Sequence, residues 1–228
     1  MSSNKKLEVD FSYHFYSSML DQLKEKNYLF KTFDKFDVSD TNTCALLRHD
    51  IDKSVPKALD IAVIEAEKGI KSTFFVRLHS NYYNPFSYKC YKNLMQIADL
   101  GHEIGLHTEL WDISLIRGEN KIDMFLREKQ ILESIVQREI KSFSLHRTTG
   151  SNEMQDANEL LQKIETMTGM NNAYSTKFQL NFKYLSDSSG IWREGDPRDY
   201  FTGEQHLHFL THPIWWFREN IALEDPIV

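Results

Sequence analysis

Short apolar runs alternate with segments of helical spacing along most of this chain, and each repeat has the length of a strand–helix–strand crossover. That alternation restricts the fold more than any other feature, because neighbouring parallel strands need such a connection. The first clear run, Ala45-Leu46-Leu47, has the character of a strand buried on both faces of a parallel sheet. Further strands are predicted over residues 72–76, 102–107, 142–146 and 206–211, with short extended pieces at 28–36, 173–175 and 184–186. Helices are predicted over residues 11–27, 86–100, 121–137 and 153–167. One more starts after the N-cap Ser54, carries Pro56 in its first turn and stops at Gly69. Residues 108–120 read as a loop.

There is no Rossmann glycine fingerprint after the first strand and no phosphate-binding P-loop. The sheet is therefore open or closed into a barrel. Polar clusters recur after successive strands rather than at one switch point, which favours a single-domain α/β barrel of mainly parallel strands. Residues 1–36 are expected to pack on it as an N-terminal helical segment, and residues 37–228 to form the barrel.

At 228 residues and 41% hydrophobic, the chain is large enough for a substantial core. A net charge of −6 without a basic run argues against nucleic acid as the main partner. No run of about 18 apolar residues is present, so no membrane span is expected. The opening residues have no apolar signal-peptide segment, and the two cysteines, Cys44 and Cys90, make no disulfide framework. A cytoplasmic protein is the expectation.

Four clusters follow predicted strands: Arg48-His49-Asp50-Ile51-Asp52, Gly101 to Glu109, Leu145-His146-Arg147, and Leu210-Thr211-His212-Pro213. A fifth segment, Ser186 to Arg193, lies between the last two. In parallel α/β folds, chemistry collects at the carboxyl ends of the strands. Asp50 and Asp52 point the same way if the strand stays extended. Two carboxylates side by side repel unless a cation or a shared proton relieves them. A histidine or carboxylate at each strand end would suit one divalent metal, held by three protein ligands with a position left for water.

Taken in order, these clusters resemble the motifs of the polysaccharide deacetylase (NodB-homology, carbohydrate esterase 4-like) superfamily, in the branch that opens on Arg-His-Asp-x-Asp. The resemblance runs from about Ala45 to Phe217 and includes a His-Pro-x-Trp-Trp ending at His212 to Trp216. It implies a distorted (β/α)7 barrel and metal-dependent removal of N-acyl groups, acetyl or formyl, from an amino sugar. It also implies Asp50 as the base and Asp52 as a metal ligand, the swap being the alternative. His107 is implied as a ligand, Arg147 as the group that orients the base, and His212 as the general acid. Asp187 orients Arg147 or another polar group, and Trp192 and Trp215 are candidates to stack on sugar. The metal implied is zinc or another first-row transition ion.

The chain departs from the commoner pattern at Ile51, which separates the aspartates, and at Trp111, where a second ligand histidine usually stands. A third ligand must come from elsewhere. His146 ends the next predicted strand, so Asp52, His107 and His146 are the expected triad, with Glu109 second and His102 third. The expected substrate is a small amino sugar or glycoconjugate, such as a surface-polysaccharide precursor. The alternative is a non-catalytic carbohydrate-binding or scaffolding barrel of the same ancestry.

Overall fold

β2 (Cys44–Ile51) is buried along its whole length, and the other strands are arranged around it. The structure is a computed structural model that describes residues 9–146 and 151–218, apart from the side chains of residues 151–156. β2 runs parallel to β3 (Thr73–Val76) on one side and β8 (His206–Thr211) on the other. Beyond β3 come β4 (Glu103–Thr108), β5 (Ser142–Leu145) and β6 (Asn171–Asn172), and beyond β8 comes β7 (Phe182–Ser186). β1 (Leu29–Lys31) pairs with the start of β2. Every ladder is parallel, and among the described residues β6 and β7 do not pair, so the sheet curls into a half-barrel. This agrees with the barrel of mainly parallel strands expected from the alternation and with the distorted (β/α)7 form that the resemblance implies. Among the described residues, no helix is long and apolar enough to cross a membrane.

Side chains alternate along each strand, and the alternation divides the interior in two. Ala45, Leu47 and Ile51 of β2 join Phe74, Leu106 and Phe143 in a core shared with the helices. Leu46 joins Phe33, Phe75, Phe178 and Phe182 in a second core inside the curl. Gly105 belongs to the inner face: a Cβ there would lie 2.5 Å from the Phe75 ring, so only glycine leaves room for it.

α1 (Tyr13–Glu25) is capped by Ser12 and buries Phe15, Tyr16, Met19, Leu20 and Leu23 in the outer core. α2 (Val55–Glu67) starts at Ser54 with Pro56 in its first turn, as expected, and Gly69 ends it at a positive φ of 71°. α3 (Tyr88–Asp99), α5 (Lys121–Val136) and α6 (Ser151–Thr168) fall where helical spacing places them.

Two expectations are corrected. Residues 108–120 are not a plain loop: Leu110–Arg117 form α4, with Leu110 and Ser114 buried one turn apart and Gly118 as a left-handed C-cap. The extended piece expected at 173–175 lies two residues earlier, at β6. Asn172 ends that strand by accepting the Tyr174 N–H on its side chain, and Ser175 stands at the N-terminus of α7 (Thr176–Gln179), where its carbonyl accepts the Phe178 and Gln179 N–H groups.

Behind β2, His49 enters a buried network. Its Nδ1 lies 2.5 Å from Thr211 Oγ1 and its Nε2 2.9 Å from Glu65 Oε1. Glu65 also accepts from Tyr16 Oη at 2.6 Å and Ser72 Oγ at 2.6 Å, and Ser72 Oγ lies 2.9 Å from His102 Nδ1.

At the opposite end of the barrel from the polar strand ends, Glu103 accepts the Thr73 hydroxyl at 2.7 Å and the Asp34 N–H at 3.3 Å. Burial, followed by the charge of Asp34, raises its pKa from 4.5 to about 7. A carboxyl that holds its proton more tightly when folded stabilises at low pH, and that contribution is lost as pH rises from 4.5 to about 7. Urea midpoints across this window should fall for the native protein and fall less for Glu103→Gln. Parallel curves would place the titration elsewhere.

Candidate active site

The alternation that fills the inner core with Leu46 and Phe75 carries polar groups to its upper end. Arg48, Asp50 and Asp52 follow Leu46 at every second position of the chain, and His107 and Glu109 follow Gly105 in the same way. Parallel register places His107 opposite Ser144 on β5, with His146 two residues further on. His212 lies one residue past β8, and Asp187 one residue past β7.

Asp52, His107 and His146 offer one ligand atom each, all within 4.8 Å of one another. His107 Nε2 is 3.5 Å, and His146 Nε2 3.7 Å, from Asp52 Oδ1. The two imidazole rings stand edge to face, 5.1 Å apart. His107 Nδ1 is 2.7 Å from Ser144 Oγ and 3.3 Å from the Ser144 carbonyl, which assigns the proton to Nδ1 and leaves the Nε2 lone pair facing Asp52. Burial pushes the His107 pKa down to about 4, so the ring is neutral, the form that binds metal. Asp52 Oδ1 is buried without a hydrogen-bond partner. One carboxylate oxygen and two imidazoles suit a divalent transition ion, and a cation there would satisfy the orphaned oxygen.

Glu109 sits behind His146 rather than among the three. Its Oε1 is 3.4 Å from His146 Nδ1 and accepts Arg77 Nη2–H at 2.6 Å. Burial opposes ionisation of Glu109, but His146 and Arg77 outweigh it and hold the pKa at about 2. A permanent carboxylate there orients the imidazole and raises its basicity. His102 faces away from the mouth, in the Glu65 network, with its Nε2 against the Ala62 carbonyl. That removes it from the ligand alternatives.

Asp50 is gripped at both oxygens by Arg48, Nε to Oδ1 at 2.9 Å and Nη2 to Oδ2 at 2.8 Å. Oδ2 is also 3.3 Å from His107 Nε2. Burial disfavours its charge, but Arg48 overrides it and holds the carboxyl well below the usual range. The arginine seen on this aspartate is thus Arg48, from the same strand, whereas Arg147 lies outside the described residues. Arg48 and Asp50 stand two apart on one strand, and that spacing was the available signal.

Asp187 is fully buried and serves His212 and Trp216. It accepts the His212 backbone N–H at both oxygens, at 3.0 and 2.9 Å, lies 2.6 Å from His212 Nδ1, and accepts Trp216 Nε1–H at 2.9 Å. His212 Nε2 is left facing Asp52 Oδ2 at 3.9 Å. Burial works against charging His212, but Asp187 more than offsets it and the pKa is raised.

Of the two tryptophans expected to meet sugar, Trp215 is half-buried at the rim, under the Lys53 ammonium at 5.7 Å. Trp192 is 9% exposed and stands edge-on to Phe209 and Trp216 in the outer core, away from the converging side chains. The pattern of a motif does not reveal which face of the sheet an aromatic ring occupies.

No family model matches the chain, and no curated protein matches it. Several solved structures of carbohydrate esterase family 4 are similar to it. A mutant of a Bacillus anthracis family 4 pseudoenzyme with restored enzymatic activity shares 16% identity at a TM-score of 0.47, over 76% of this chain and 57% of that one. The chain therefore spans little more than half the length of that protein. Peptidoglycan deacetylase PdaC from Bacillus subtilis shares 13% identity at a TM-score of 0.49, over 77% of each chain. The chitin deacetylase of the fungal pathogen Colletotrichum lindemuthianum shares 16% identity at a TM-score of 0.46, over 78% of this chain and 76% of that one.

Proposed function

We propose that this protein is a metal-dependent hydrolase that removes an N-acyl group, acetyl or formyl, from an amino sugar. The observation that carries the reading is the convergence of Asp52, His107 and His146 on one point, with an ionised Asp50 beside them and His212, favoured toward its charged form by Asp187, across from them. The order of motifs along the chain supports the same chemistry. A binding module has no need of a base and an acid facing one point.

A divalent ion held by Asp52, His107 and His146 would supply polarisation of the acyl carbonyl and acidity for the attacking water. Asp50, kept ionised by Arg48, takes a proton from that water as its oxygen bonds to the acyl carbon. The carbon–nitrogen bond then breaks, and His212 gives its Nε2 proton to the departing amine. Asp187 holds Nδ1, so the ring presents Nε2 to the substrate and its protonated form is favoured. The products are a free carboxylate and an amino sugar.

The test is release of acetate or formate from N-acylated amino sugars by zinc-loaded protein. His212→Ala should slow release about 10²–10⁴-fold with zinc retained. Asp187→Asn should lose about 10–100-fold by freeing the ring. Asp50→Asn should stop turnover with zinc still bound, and zinc loss in that variant would exchange the roles of Asp50 and Asp52. Zinc binding without release from any such sugar would favour the non-catalytic barrel.

A further inference from the structure

Lys53 directly follows Asp52, and its ammonium lies 4.8 Å from the centre of the Tyr82 ring and 5.7 Å from that of Trp215. Both rings are tied to the site through the backbone. Ser80 Oγ donates to the Asp52 carbonyl at 2.9 Å and accepts the Tyr82 N–H at 3.1 Å. The Trp215 N–H donates to the His212 carbonyl at 3.0 Å. Tyr82 is thus fixed relative to Asp52, Trp215 relative to His212, and Lys53 lies between them on the rim.

Other cations near the mouth are committed internally. Arg48 holds Asp50, Arg77 holds Glu109, and Lys57 Nζ donates to the carbonyls of Ile214 and Trp216. Among the described residues, Lys53 ion-pairs with no carboxylate, and its contacts are the two rings. The faces of aromatic rings attract an ammonium through their quadrupole, but they leave its charge in place. Tyr82 is 59% exposed, and Lys53 and Trp215 are half-buried beside it. The arrangement suits a ligand that presents an anion to the ammonium and a sugar ring to an aromatic face.

Resting on the hydrolase reading above, we propose that Lys53 is a specificity-determining residue that selects amino-sugar substrates bearing an anionic group, a phosphate or a carboxylate. Tyr82 and Trp215 hold its ammonium at the rim, within one residue of Asp52.

Calorimetric binding to the zinc-loaded protein tests this without turnover. The probes are N-acetylglucosamine as the neutral sugar, UDP-N-acetylglucosamine for phosphate and N-acetylmuramic acid for carboxylate. The native protein should bind at least one anionic probe about tenfold more tightly than the neutral sugar. In Lys53→Gln that ratio should fall close to one, and Lys53→Arg should restore most of it. Preference for the nucleotide sugar alone assigns phosphate, and preference for the muramic acid alone assigns carboxylate. Equal affinity for all three probes, no binding of any of them, or a preference that survives in Lys53→Gln would overturn the proposal. A charge-selective site that releases no acyl group would refute the hydrolase reading alone.

Discussion

Glu65→Ala should lower the unfolding free energy by about 3–5 kcal/mol, the scale for removing one partner from a buried ionic cluster. Glu65 projects from α2 into an interior where it is fully buried. Its two oxygens hold His49 of β2, Tyr16 of α1 and Ser72 at the entry to β3, and through Ser72 they reach His102. His49 then passes the connection to Thr211 of β8. Burial alone would keep the carboxyl neutral, yet His49 leads the groups that hold its pKa below 4.5. The truncated variant leaves an imidazole, a phenol and a hydroxyl without their acceptor in a dry core. Because the folded pKa is depressed, the stabilisation is present above pH 4.5 and lost as pH falls below it. Glu65→Gln keeps the shape and one acceptor, so it should fall between the native protein and Glu65→Ala. Urea unfolding near neutral pH measures all three, and a loss under about 1 kcal/mol for alanine would mean that water reaches the cluster.

The barrel was legible because its period is local. Apolar runs and helical stripes repeat at crossover length, and parallel pairing follows once each strand must be covered on both faces. The convergence of Asp52, His107 and His146 was legible for a related reason, since each lies at or just past the carboxyl end of a neighbouring strand: Asp52 after β2, His107 near the end of β4 and His146 after β5. What escaped depends partly on contacts distant in sequence and partly on local signals that were weak or overshadowed. Glu65 looks like one more charged residue on a helix, and only its packing against His49, 16 positions earlier, buries it. The grip of Arg48 on Asp50 was masked by Arg147, to which the resemblance drew attention as the arginine of the base. α4 is short, and a stripe as narrow as Leu110 and Ser114 carries little signal. Trp192 stands in a motif with polar neighbours, yet its ring turns to Phe209 and Trp216 in the outer core.

One zinc ion should bind per native chain, and Asp52→Ala, His107→Ala and His146→Ala should each lose most of that affinity. Each variant removes one donor from a set of three placed by different strand ends, and two remaining donors are too few for a catalytic site. Glu109→Gln should weaken binding by only about 10–100-fold, because it acts through His146 Nδ1 and leaves all three donors present. Ser144→Ala should have an effect of the same kind through His107, by releasing the hydroxyl contact on Nδ1 while the Ser144 carbonyl remains. His102→Ala should keep its zinc affinity, since that ring lies in the Glu65 network on the other face of the sheet, although its stability should fall. Competition titration against a chromophoric chelator measures the whole series under one buffer condition. Unchanged affinity in His146→Ala, with loss in Glu109→Gln matching the Asp52 variant, would make Glu109 the third ligand and His146 its support. The geometry opposes that outcome, since Glu109 lies behind His146, with Oε1 3.4 Å from its Nδ1 and 2.6 Å from Arg77, rather than among the three converging ligand atoms.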